Sequence, residues 1–210
     1  MGPSEYCTGT LISPRLVLTA AHCFFDKQSG TRRSDAEVEF LAGLSRGRLA
    51  AHRVARRVVL HPDYTYAGDG NMSNVHADLA IVELDRPIHS AEALPFETTS
   101  RVKRGQNLQV ISYGKNHEDM PALQTTCHVM AQHSGVDITS CDVDLGASGA
   151  PIFVLEEGAR KIASIVSAKG QWRDQKVAVA AGVSQGVERL LARLLTRENA
   201  IQSAVVASNR

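Results

Sequence analysis

No charge of one sign dominates this 210-residue chain: 23 Lys+Arg stand against 22 Asp+Glu, a formal net charge of +1. Without a broad cationic face, nucleic-acid binding is not the expected function. Long hydrophobic runs are missing too. The longest uninterrupted apolar stretches, such as residues 177–181, are far too short to span a bilayer. Residues 1–6 hold no basic stretch followed by an apolar one, so no signal peptide is visible. No segment away from the two ends is rich enough in Pro, Ser or Glu to suggest disorder. No internal repeat is evident. What is present is 43% apolar and 21% charged residues, the composition of a soluble globular protein with a proper core.

Cysteines are few: Cys7, Cys23, Cys127 and Cys141, in local pairs 16 and 14 residues apart. Three connectivities are open. Bridges would place the chain in an oxidising compartment, and four buried thiols would not. A metal site built from Cys127, His128, His133 and Cys141 matches no standard zinc spacing.

Short β-type runs punctuated by turn residues dominate. Residues 7–12 stop at Ser13-Pro14, and 16–19 follow at once, as two strands joined by a tight turn. Further strands are expected at 36–41, 53–60 and 79–84. After a break near 98–107 the pattern restarts at 108–113, 126–131, 151–155, 161–168 and 177–183. Frequent short strands suit barrels or sandwiches, and the break divides the chain into halves of 1–100 and 101–210. Only the end reads helical: Val187, Leu190, Leu191, Leu194 and Leu195 recur at helical spacing over about 186–200.

Three local patterns carry chemistry jointly. His22 directly precedes Cys23, just past the apolar run 16–19. Asp78 stands at the entrance of the apolar run 79–84. Ser148 lies in Gly146-Ala147-Ser148-Gly149-Ala150-Pro151, a tight turn leading into a strand. Singly each has a bland explanation: a structural histidine, a strand-start cap, a turn needing positive φ. Together they supply what a serine nucleophile needs. A hydroxyl is a poor nucleophile at neutral pH and requires a base within hydrogen-bond reach. A histidine is that base, and a buried aspartate fixes its tautomer. The backbone N–H groups of Gly146 and Ser148 can converge on the developing oxyanion.

On these residues the sequence resembles a trypsin/chymotrypsin-type serine endopeptidase. Residues 7–23 are similar to that family's histidine loop, 58–64 to the strand before its aspartate loop, 77–84 to its aspartate strand, and 164–167 to the strand along which substrate lies. The resemblance implies an all-β fold of two antiparallel six-stranded Greek-key β-barrels with a C-terminal α-helix. It implies bridges Cys7–Cys23 and Cys127–Cys141, a secreted or periplasmic location, a protein or peptide substrate, and no cofactor or metal. His22, Asp78 and Ser148 become the catalytic residues, with Gly146 and Ser148 forming the oxyanion hole. Animal members carry Asp immediately before the serine, where this chain has Ala147. Together with the run 141–146, that departure resembles the bacterial and secreted microbial branch.

The resemblance also puts Asp142, six residues before Ser148, at the floor of the specificity pocket, with Ser167 and Lys169 along its wall. An aspartate there selects Arg or Lys, although Lys169 could pair with it and weaken that choice. The expected order is Arg or Lys first, small or apolar residues second. Acidic residues come last, because Val143 and Val166 stand where glutamyl-specific relatives have threonine and histidine. His52, His61, His89 and His117 are expected on the surface, His76 in a loop, and Trp172 in the core or on the groove rim. A non-catalytic binding member of the same fold is the alternative function.

Overall fold

The computed structural model describes residues 6–68, 72–100, 102–115 and 117–208, with the backbone alone for 197–208. The N-terminal stretch in which no signal peptide was visible lies mostly outside the described residues.

Among the described residues, eleven strands form two antiparallel sheets. The first sheet is built from β1 (Thr10–Ser13), β2 (Leu16–Thr19), β3 (Glu39–Ala42), β4 (Ala51–Leu60) and β5 (Ala80–Leu84), in the order β1-β2-β5-β4-β3. The second comprises β6 (Asn107–Gly114), β7 (His117–His133), β8 (Val136–Thr139), β9 (Pro151–Glu156), β10 (Ala159–Trp172) and β11 (Gln175–Gly182). These six close into a barrel in the order β10-β11-β8-β7-β6-β9. The expected six strands therefore hold for the second half. The first half has five among the described residues, and its sheet stays open. Both flanking strands, β1 and β3, are only four residues long. The Phe96 N–H already bonds the Leu11 carbonyl of β1.

Side-chain alternation distributes the core. Val17, Ala80 and Val82 pack inside the first sheet with Phe24, Val58 and Leu84. Ile152, Val154, Val110 and Val129 fill the barrel with the Cys127–Cys141 pair. The opposite faces of the same strands, bearing Leu18, Ile81 and Phe153, meet in a third cluster with Ile162 and Ile165. This junction fixes the two sheets against each other, and the site described below opens beside it.

The helix α1 (Val183–Ser208) covers the junction through Val183, Val187, Leu190 and Leu194. It starts earlier than the expected 186, because Gly186 is not a boundary. A Cβ there would stand 2.3 Å from Leu79 Cδ1, so the glycine lets the helix interior approach the β5 entrance closely. An ion pair between Arg189 and Asp63 ties the exposed face to the loop after β4. β8 was not expected: it is four residues long and carries a polar residue, Asp137, inward. Among the described residues, no helix is long and apolar enough to cross a membrane.

Candidate active site

Both cysteine pairs are disulfides, Cys7–Cys23 and Cys127–Cys141, and no free cysteine is found among the described residues. The thiol and zinc readings thus lose their ligands. The first bridge anchors a 3₁₀ turn, Ala21–Phe24, immediately after β2. That turn carries His22.

Asp78 ends another 3₁₀ turn, Val75–Ala77, at the mouth of β5, and the residue is 3% exposed. A buried carboxylate needs donors, and Asp78 has three. Its Oδ1 accepts the backbone N–H of His22 at 2.8 Å. Its Oδ2 lies 2.7 Å from His22 Nδ1 and accepts the Ser167 hydroxyl at 2.5 Å. With Nδ1 committed to the carboxylate as a donor, Nε2 is left as the basic nitrogen.

His22, Asp78, Ser148 and Ser167 line one cleft of about 290 Å³. The first two come from the first sheet's loops, the last two from the second barrel. Ser148 sits in a loop, residues 144–150, that turns back sharply into β9. Gly149 has φ +80°, and a Cβ there would fall 2.1 Å from Thr19 Oγ1 and 2.3 Å from the Thr8 carbonyl. Only glycine fits between these groups. Gly146, with φ +95°, sits under the Tyr6 ring. Among the described residues, no backbone acceptor takes the N–H of Gly146 or Ser148.

The pocket wall differs from expectation. Val143, Val166, Ala168 and Lys169 line the cleft, as does Asp144. Asp142 is not among the lining residues; it is exposed, and its backbone N–H bonds Gln124 Oε1 at 2.9 Å. The neighbouring Cys141 is buried in the barrel core, as is Val143, which also lines the cleft. Lys169 pairs with Asp144 at 3.2 Å rather than with Asp142. The Leu145 N–H, followed by Lys169, holds the Asp144 carboxyl below the usual carboxylate range.

Sequence reasoning missed Thr8, Tyr64 and Lys27. Thr8 contacts the serine loop, and Tyr64 and Lys27 line the cleft beside His22. Nothing in their local sequence sets them apart. His61 was expected on the surface but is 4% exposed, packed between the β4 end and α1. His76 is exposed, and His52 faces Glu39 at 2.9 Å. Trp172 is not among the cleft-lining residues; it packs against a small apolar cluster of Val75, Val177 and Val179.

With this geometry in view, comparison with known proteins gives a coherent result. The family described as Trypsin-like peptidase domain matches residues 7–159. A protein named Trypsin from Phaedon cochleariae is 34% identical over 84 residues, 40% of this chain and 29% of its own length. Serine protease 23 of Bos taurus is 28% identical over 197 residues, 81% of this chain and 51% of that protein. The Suppressor of tumorigenicity 14 protein homolog of Bos taurus is 30% identical over 203 residues, 79% of this chain and 22% of that protein. The chain thus spans about half or less of the length of these relatives. All three are animal proteins, so they lend no support to the expected microbial branch.

Proposed function

The chain belongs to the trypsin-like peptidase domain family, and from that premise we propose that it is a serine endopeptidase acting through His22, Asp78 and Ser148. The observation that carries this reading is the placement of His22 Nδ1 on a buried Asp78 carboxylate, in a cleft that Ser148 also lines. His22 Nε2 takes the Ser148 proton as Oγ attacks the scissile carbonyl carbon. The resulting oxyanion accepts the N–H groups of Gly146 and Ser148. Collapse passes the proton from Nε2 to the leaving amine and leaves an acyl-enzyme. Water then enters by the same route, with His22 again as base, and frees the carboxylate product.

Two halves, 1–100 and 101–210, are the units between which the cleft lies in this reading. The two disulfides support an oxidising, extracytoplasmic location such as secretion or the periplasm. The preference for Arg or Lys depended on Asp142, which is exposed and not among the residues lining the cleft. The apolar wall of Val143, Val166 and Ala168 favours small or apolar side chains at the cleaved position. A fluorophosphonate probe tests the central claim: it should label Ser148 in the folded protein and leave Ser148→Ala unlabelled. A folded wild-type chain that never reacts would reject it.

A further inference from the structure

The residue before the candidate nucleophile, Ala147, is a methyl group 1% exposed in the barrel core. It can make neither an ion pair nor a hydrogen bond, so its side chain offers the loop no polar hold. The loop nevertheless contains two glycines at positive φ and must present two N–H groups in a common direction. Its peptide planes are held one by one through their carbonyls. The Leu145 carbonyl, on the plane that bears the Gly146 N–H, accepts the Lys115 N–H at 2.9 Å. The Ala147 carbonyl, on the plane that bears the Ser148 N–H, accepts Ala150 N–H at 2.9 Å. The Gly146 and Ser148 carbonyls both go to one residue, Thr8, in the segment before β1. Thr8 Oγ1 donates to the Gly146 carbonyl at 3.1 Å, and the Thr8 N–H donates to the Ser148 carbonyl at 2.8 Å.

The direction of the hydroxyl bond is not arbitrary. The Tyr113 N–H donates to Thr8 Oγ1 at 3.1 Å. A backbone N–H can only donate, so the hydroxyl's single hydrogen is free to point at the Gly146 carbonyl. The Thr8 carbonyl in turn accepts the Thr19 hydroxyl at 2.8 Å. Thr8 is 4% exposed, so water does not readily replace these partners. It also follows Cys7 directly, and Cys7 is bridged to the neighbour of His22. One short ring therefore sets both the base and the grip on the loop.

We propose that the Thr8 hydroxyl is a positioning residue that fixes the Gly146–Ala147 peptide between the two oxyanion donors, giving a competent loop where Ala147 can supply no ion pair. The proposal rests on the reading of Ser148 as nucleophile. Thr8→Val keeps the shape and removes the hydroxyl; Thr8→Ser keeps the hydroxyl. In Thr8→Val, hydrogen exchange of the amides in 144–150 should accelerate, while exchange in the barrel strands β10 and β11 stays slow. Its kcat on an ester or peptide substrate should fall on the order of 10- to 100-fold with KM within about threefold, the pattern of lost orientation rather than lost binding. Thr8→Ser should restore both readouts, and Thr8→Ala replaces the valine variant if that one does not fold. Unchanged loop exchange in the variant lacking the hydroxyl, or equal losses with Ser and Val, would overturn the clamp. Failure of wild-type Ser148 to react with a fluorophosphonate would reject the peptidase reading instead, and the exchange experiment would still decide the clamp.

Discussion

Asp78 Oδ2 accepts the Ser167 hydroxyl at 2.5 Å while also facing His22 Nδ1 at 2.7 Å, so one buried oxygen joins the first sheet's histidine to β10 of the second sheet. Asp78→Asn would present an amide where the imidazole needs an acceptor and would invert the tautomer. We expect kcat to fall on the order of 10⁴-fold, with the melting temperature little changed. Ser167→Ala removes only the second donor and should cost about tenfold. Turnover measured against a titrated active-site concentration, alongside thermal melts, checks both values. Comparable activity in Asp78→Asn would remove Asp78 from the mechanism.

A second prediction concerns the pocket wall. With Lys169 paired to Asp144 at 3.2 Å and both side chains more than half exposed, the pair is screened and weak. Asp144→Ala leaves Lys169 unmatched beside the cleft. Cleavage after acidic residues should then rise, by no more than about fivefold for a solvated charge. Asp142→Ser should leave the cleavage profile of a peptide library as it was. A profile that changes with Asp142 and not with Asp144 would restore the floor role first expected for Asp142.

The disulfides give a third. Cys127–Cys141 closes a 14-residue separation and Cys7–Cys23 one of 16. Each should contribute roughly 3 kcal/mol through the unfolded chain. The double change Cys127→Ser with Cys141→Ser should lower denaturant stability by about that amount and keep part of the activity. Opening Cys7–Cys23 by the paired serines should lower activity more than its stability loss explains, because His22 and Thr8 both adjoin that bridge. Equal effects on activity from the two pairs would contradict this.

The same local anchoring explains what could be read ahead of the structure. The candidates His22, Asp78 and Ser148 could be singled out because each sits in a short stereotyped setting: after an apolar strand, before one, and between glycines. Strand existence was legible from punctuation, as at Ser13-Pro14 and 85–87. Asp142 failed as a lining residue because its offset from Ser148 says nothing of direction: it is exposed and outside the set of residues that line the cleft. Thr8 failed for another reason. Its partners Gly146 and Ser148 are 138 and 140 positions away in sequence, and no local pattern encodes a contact of that span. The open first sheet and the short β8 depend on pairing partners, which alternation along one strand does not name.

The fourth prediction follows from His61. Burial, then the nearby Arg189, lowers its pKa from the ordinary 6.5, with Asp63 opposing. The folded state therefore resists a proton that the unfolded chain accepts. The stability this represents is present above about pH 6.5 and is lost as pH falls through the lower folded value. Burial of Asp137 acts in the other sense, raising its carboxyl, so its contribution is largest at the acid end and fades as pH rises. Between pH 8 and 5 the histidine works to lower the wild-type melting temperature on acidification, against Asp137. His61→Gln can still accept the Asp63 N–H that Nδ1 receives at 3.3 Å but cannot take up a proton. Its melting temperature should fall less on acidification over that interval. Parallel curves for the two proteins would show that the acid sensitivity lies elsewhere, and that protonating this imidazole does not loosen α1 from the end of β4.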